Sequence, residues 1–214
     1  MPALEIARVR RGPMSATMMM NGNSRILTMR QGGCVVEAVR FASAFFGKGQ
    51  FRPAKWEKVD GGYRMTQSLS GPYYQPLNPP RRVDVREYNA VRALRPQSNV
   101  QHMEYAVTLR EQGRGFRMDI EAQGTAAVPL TVEITLRENA RLEGVEAGRG
   151  KDAYLLKSGY ATARAGADSI RFGPGFGEHA YTEVRGAEAR LTGQSVYLCG
   201  FTPLKKTIEF SVPS

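Results

Sequence analysis

Apolar and polar residues alternate along much of the chain. Met103, Tyr105, Val107 and Leu109 are interleaved with His102, Glu104, Thr108 and Arg110. Phe116, Met118 and Ile120 alternate with Arg117, Asp119 and Glu121. Val128, Leu130, Val132, Ile134 and Leu136 alternate with Thr131, Glu133, Thr135 and Arg137, and Ile208, Phe210 and Val212 with Thr207, Glu209 and Ser211. A period of two places one set of side chains on a core and the other in water, the pattern of an antiparallel sheet covered on one face. A helix would need apolar residues three and four apart, which these segments lack.

The connections fit this reading. Asn21-Gly22-Asn23 and Asp60-Gly61-Gly62 each lie between apolar runs and predict tight hairpins, because Asn, Asp and Gly tolerate positive φ. Gln112-Gly113-Arg114 joins two strongly alternating segments. Turn signals recur at roughly 8–12 residues, so about a dozen strands are expected in an extended two-layer antiparallel β-sandwich. The least regular stretch is 70–98, with prolines at 72, 76, 79 and 80. Proline cannot donate to a ladder, which predicts loop or sheet edge over 72–80. A weak pattern over Glu87–Leu94 suits a short helix. The 214 residues read as a single all-β domain, with 70–98 the one place for a boundary between sub-sheets.

No apolar run reaches the ~18 residues of a membrane span. The opening residues, Met1 to Arg11, are charged and lack the apolar centre of a secretory signal. This predicts a cytoplasmic protein if the chain begins at Met1, and a periplasmic or extracellular one if Met1 opens an excised domain. Cys34 and Cys199 are expected to be buried small residues, with a disulfide the less favoured alternative. Neither they nor the two histidines have metal-ligand spacing.

The net charge of +10 is uneven. Residues 1–100 hold sixteen Lys and Arg against six Asp and Glu, whereas 101–214 hold fourteen of each. If the halves form distinct surfaces, the positive field comes from the first. Such a field favours acidic polysaccharide, nucleic acid or anionic lipid, although arginine-rich composition alone can produce it.

Candidate chemistry is sparse. Trp56, Tyr73 and Tyr74 could stack on sugar rings, and Arg81 could meet a sugar carboxylate. The plainer alternative packs Trp56 under a sheet and uses the tyrosines to anchor the proline-rich loop. In the glycine-rich stretch Phe172–Tyr181, His179 and Tyr181 would share a face if Tyr181 lies on a strand. They could then act as base and acid in proton abstraction beside a carboxylate. A glycine-rich turn with a capping histidine is the plainer and favoured reading, and the stretch lacks the Gly-Lys-Ser/Thr ending of a phosphate loop. His102 is expected to face water. Glycoside hydrolysis requires a carboxylate pair, but Glu121, Glu133 and Glu138 are predicted on wet faces and nothing marks a pair. No serine nucleophile elbow occurs. Arg8, Arg10, Arg11, Arg81 and Arg82 with nearby tyrosines permit single-strand binding, without any nucleic-acid signature.

Four stretches together carry a resemblance: Gly12–Thr17 with Asn21–Asn23; Phe45–Phe51; Gly71–Leu77; and Phe176–Tyr181 with Val196–Leu204. The set resembles the galactose-mutarotase-like β-sandwich domains that accompany bacterial heparinase-type polysaccharide lyases and related glycan-active proteins. The resemblance implies a large sandwich in a glycan-handling protein. The helical toroid of a complete lyase is absent, and no catalytic residue transfers position by position. The expected function is therefore binding or processing of an acidic carbohydrate, lyase-like or glycoside-hydrolase-like if enzymatic, on a concave sheet face or at the proline-rich loop. A non-enzymatic protein-interaction module is the first alternative and nucleic-acid binding the second. No cofactor is indicated, and no Asp-rich loop suggests calcium.

Overall fold

A computed structural model describes residues 4–80, 84–177 and 179–213. These residues contain seventeen strands, more than the dozen expected, because several connections carry short strands with no alternation to announce them. In chain order they are β1 (Ile6–Arg11), β2 (Met14–Met19), β3 (Leu27–Gln31), β4 (Cys34–Ser43), β5 (Gly49–Gln50), β6 (Lys55–Val59), β7 (Gly62–Tyr74), β8 (Gln97–Glu111) and β9 (Gly115–Gly124). There follow β10 (Pro129–Leu136), β11 (Arg141–Glu143), β12 (Glu146–Ala147), β13 (Ala153–Leu155), β14 (Ala161–Ala165), β15 (Asp168–Gly173), β16 (Gln194–Phe201) and β17 (Leu204–Ser211). A short helix, α1 (Tyr88–Ala93), lies where the weak helical pattern placed it. Among the described residues no helix is long and apolar enough to cross a membrane.

The strands form two facing sheets. The first has the order β1-β2-β3-β4-β10-β16-β13-β12, with β5 on β4; the second has the order β11-β14-β15-β17-β9-β8-β7-β6. All pairings are antiparallel except β13 with β16. The two halves of the chain interleave, since β10 of the second half pairs with β4 of the first and β8 pairs with β7. The expected segregation of positive charge onto the first half therefore does not carry over to distinct surfaces.

The alternating apolar residues meet between the sheets. Leu130, Val132, Ile134 and Leu136 from β10 face Met103, Tyr105, Val107 and Leu109 from β8 and Phe116, Met118 and Ile120 from β9, all buried in one core. Polar links cross this core: the Tyr105 hydroxyl and Ser43 Oγ lie 2.5 Å apart, and Cys34 Sγ donates to the main-chain carbonyl of Ala163 at 3.3 Å. Burial pushes the Tyr105 phenol up to about 12. Both cysteines are free and buried. Cys34 lies in the main core, whereas Cys199 belongs to a second cluster with Ala153, Leu155 and Tyr197. Cys199 is in register with Thr131 and Thr131 with Ala42, eight residues along β4 from Cys34. At ~3.3 Å per residue the thiols are more than roughly 25 Å apart, far beyond disulfide reach.

The first sheet departs from simple alternation. Thr131, Glu133 and Thr135 point away from the core yet are buried, as are Ser195, Tyr197 and Cys199 on β16. Residues 181–190, within the connection from β15 to β16, lie over them: Tyr181 packs on the Cys199 cluster, and the main-chain carbonyl of Ala189 accepts from Arg40. Glu133, expected in water, is thus 7% exposed and paired with Arg40, which is 3% exposed.

The turn at Asp60-Gly61 is tight, joining register partners Val59 and Gly62. The connection over Asn21–Asn23 is wider than expected, running from Met20 to Ile26, because both end residues are drawn into the core. Strand β7 continues through Pro72 to Tyr74, accommodating the proline at a register shift between Gly71 and Tyr73. Helix α1 lies in the connection from β7 to β8.

Candidate functional site

The structure disperses most of the residues singled out from sequence. Trp56 lies on edge strand β6 opposite Met65, with its ring against Tyr63. Tyr73 is eight residues further along β7, roughly 25 Å away at strand rise. It is 55% exposed and packs edge-on to Phe46. Tyr74 is covered by the Arg92 guanidinium, 4.9 Å from its ring centroid. Arg81 lies outside the described residues. His179 and Tyr181 do come together, with rings 6.3 Å apart, and both contact Phe201. Tyr181, however, is not on a strand. Its hydroxyl donates to the main-chain carbonyls of Leu130 and Gly200. Burial, then the neighbouring Cys199, pushes its phenol up to about 12. That geometry anchors the covering segment to β10 and β16 and leaves the phenol committed to main chain.

A cleft of about 570 Å³ lies elsewhere, on the outer face of the second sheet. Its floor is the wet side of β7, β8, β9 and β17, and one wall is Tyr160 with the Pro174–Phe176 turn. Strand pairing sets the floor out in rows. One row reads Glu209, Arg117, Arg110; the next reads Thr207, Asp119, Thr108, Arg64; the third begins Lys205, Glu121. These residues sit at every second position of strands whose other positions fill the core, so the packing that buries Met118 and Ile120 also fixes Arg117, Asp119 and Glu121 on the floor. The wall uses the glycines of the 172–177 stretch: a Cβ on Gly175 would overlap the main chain of Leu156 and Lys157, against which this turn runs.

Hydrogen bonds hold the floor. Arg117 and Arg110 are direct cross-strand partners, an unfavourable juxtaposition of like charge. Asp119 compensates, accepting from Arg117 Nε at 3.0 Å, Arg110 Nη1 at 2.9 Å and Thr207 Oγ1 at 2.7 Å. Glu121 takes Arg64 at 3.2 Å and Lys205 at 3.3 Å. Partial burial opposes ionisation of Asp119 and Glu121. The hydrogen bonds and charges of these partners outweigh it and hold both carboxyls below their ordinary range. At the wall, the Tyr160 hydroxyl donates to Glu209 at 3.1 Å, and this bond, with some burial, raises the phenol. Arg171 lies 3.6 Å above the Tyr160 ring.

Asp119 and Glu121 therefore each serve two cations, and with Glu209 beside Arg117 the four cations Arg64, Arg110, Arg117 and Lys205 exceed the three floor carboxylates by one charge. The face offers fixed donors, fixed acceptors and an aromatic wall. Asp119 and Glu121, both held low, are not poised to donate a proton at neutral pH. Among the described residues no group of three or more His, Cys, Asp and Glu side chains is placed to hold a metal ion. Sequence reasoning put Arg117, Asp119, Glu121 and Glu209 on wet faces but did not bring them together, since that depends on which strands are neighbours.

The fold and cleft define an antiparallel β-sandwich with an ordered, net-cationic groove on the outside of one sheet. No family model matches the chain, and no curated protein or solved structure matches it.

Proposed function

We propose that the chain is a carbohydrate-binding β-sandwich that holds an acidic glycan in the cleft on the outer face of β7, β8, β9 and β17. The observation carrying this reading is the floor itself. Two trios, Arg110–Asp119–Arg117 and Arg64–Glu121–Lys205, alternate donors and acceptors over a sheet surface. A polyhydroxylated ligand needs both kinds of partner, and a uronate needs the unspent guanidinium hydrogens. Preformed hydrogen bonds lower the ordering cost of binding. Single-stranded nucleic acid is a poorer fit, because exposed stacking platforms are its usual requirement, whereas of the two rings lining the cleft Tyr160 is covered by Arg171 and Phe176 is largely buried.

The reading is binding without bond cleavage. Glycoside hydrolysis needs one carboxyl kept protonated, whereas Asp119 and Glu121 are both held ionised. A proton-abstracting tyrosine needs a lowered pKa, and that of Tyr160 is raised. The test is thermal shift against neutral and uronate-containing glycans, with absorbance of unsaturated uronates followed in parallel. Stabilisation by uronate glycans alone, lost in Arg110→Ala and Arg117→Ala and without new absorbance, is expected. Absence of any shift overturns the proposal, and new absorbance replaces binding with lyase chemistry.

A protein-interaction role has one observation in its favour. The connection from β7 to β8 exposes Val85, Tyr88 and Leu94 beside an apolar hollow lined by Pro76, Leu77, Pro80 and Val91. Failure of every glycan would direct attention there.

A further inference from the structure

The cleft is one part of a longer feature. In the register of the second sheet, Arg164 on β14 is opposite Arg141 on β11 and Ser169 on β15. One step along, Arg171 of β15 pairs with Ser211 of β17, which pairs with Gly115 of β9. A further step brings Arg117 on β9 and Arg110 on β8, and the next brings Arg64 on β7. The six arginines, scattered over residues 64–171 in sequence, thus form one oblique stripe across the outer face. With strands ~4.8 Å apart and ~6.7 Å between successive outward residues, Arg164 and Arg64 are roughly 30 Å apart.

The stripe repeats the carboxylate sharing of the cleft. Arg141 and Arg164 share Glu143, Arg110 and Arg117 share Asp119, and Arg64 shares Glu121 with Lys205. Arg171, lying on the Tyr160 ring, has no carboxylate in salt-bridge range among the described residues. On β17 the line passes Ser211 and Glu209, whose carboxylate accepts from Tyr160. Positive charge in excess of neighbouring carboxylates therefore recurs at Arg141–Arg164, at Arg171 and at Arg64–Lys205, while Glu209 offsets Arg117 between them.

We infer that the ligand is an extended, linear polyuronate lying obliquely across the whole sheet, several sugars long, with Arg171 and Arg164 as an outer subsite. This rests on the carbohydrate reading of the cleft and adds the length and direction of the ligand. A short uronide would satisfy the cleft trios alone. A longer one would place further carboxylates on Arg171 and on the Arg141–Arg164 pair without paying translational entropy again.

The experiment is calorimetric titration with a diuronate, an octauronate and an oligothymidylate of matched charge, on the unaltered chain, Arg110→Ala and Arg164→Ala/Arg171→Ala. Both outer arginines are exposed, so the double variant is expected to fold. The octauronate should bind at least about tenfold more tightly than the diuronate, as one further ion-paired contact allows. The double variant should lose that gain while weakening the diuronate less than the octauronate, whereas Arg110→Ala should weaken both. Length-independent affinity, or an octauronate indifferent to the double variant, overturns the extended site while binding that is lost in Arg110→Ala leaves the cleft reading intact. No binding of either uronide overturns the cleft reading itself. Tighter binding of the oligothymidylate than of the octauronate overturns the inference in favour of nucleic acid.

Discussion

Arg40 and Glu133 face each other across β4 and β10 as register partners, and form a buried ion pair on the outer side of a sheet whose other side is the core. Arg40 donates to Glu133 Oε2 through Nε at 3.1 Å and Nη2 at 2.5 Å, and Glu133 Oε1 accepts from Ser195 at 2.9 Å. Arg40 Nη1 reaches the carbonyl of Ala189, and Glu188 receives Arg52 and Ser24. Charge on β4 and β10 thereby fastens the segment that turns a two-layer sandwich locally into three layers.

The pair predicts an asymmetric response to mutation. Glu133→Ala leaves the buried Arg40 guanidinium with only Glu188, 3.5 Å away, as a carboxylate partner, and should cost about 3 kcal/mol in urea unfolding at neutral pH. Arg52→Ala removes an exposed partner of Glu188 and should cost about 0–1 kcal/mol. Equal losses in the two variants would mean that the pair is not shielded by the covering segment.

Acid should weaken the fold through the cleft and through Glu188. Asp119, Glu121 and Glu188 are held below their ordinary values of 3.8, 4.5 and 4.5 by arginine, lysine and hydroxyl partners that outweigh partial burial. A depressed folded pKa contributes stability that is complete above the unfolded value and is lost as pH falls through the folded one. Urea midpoints should therefore be level from neutral pH to about 5 and decline below about 4. Asp119→Asn should lower the neutral plateau, because Arg110 and Arg117 then oppose each other unneutralised, and should make the acid decline shallower. An unchanged acid limb in this variant would remove Asp119 from the linkage.

The architecture was legible because one face of each long strand is apolar: Met103 to Leu109 and Phe116 to Ile120 occupy the core as their alternation requires. The short helix after Glu87 was legible too, though its pattern was weak. Alternation could not show that Glu133 is covered, since the cover comes from residues more than forty positions away in sequence and is itself irregular. Nor could it show that Arg64, Arg110, Arg117 and Arg171 line up, because the stripe depends on β17 being inserted between β9 and β15. Trp56, Tyr73 and Tyr74 stood out as aromatic residues near turns, yet strand length separates the first from the others and Arg92 covers the third.

The two cysteines should behave as buried, unreactive thiols. Burial raises both, Cys199 to about 11, so the thiolate that reacts with a disulfide reagent is scarce at neutral pH. Native protein should show no labelling over minutes with a thiol reagent and two thiols per chain after unfolding, with or without prior reduction. A single thiol, or none, in the unreduced unfolded protein would contradict the separation of Cys34 from Cys199.

Tyr181→Phe separates anchoring from chemistry. The substitution keeps the ring against His179 and Phe201 and removes the hydroxyl that donates to Leu130 and Gly200. Those carbonyls then lose a partner, at a cost of about 1–2 kcal/mol at neutral pH. The alkaline limb should also change. The Tyr181 phenol is raised to about 12 when folded, so its contribution is complete below the ordinary value of 10 and is lost between there and about 12. Tyr105 and Tyr197, raised similarly by burial, add to the same limb. Urea midpoints between pH 9 and 11 should therefore fall less in Tyr181→Phe than in the unaltered chain. Binding of uronate glycans should be the same in both, since this ring lies over the first sheet and the arginine stripe crosses the second. A loss of glycan affinity in Tyr181→Phe at unchanged stability would return the ligand to the face beside His179.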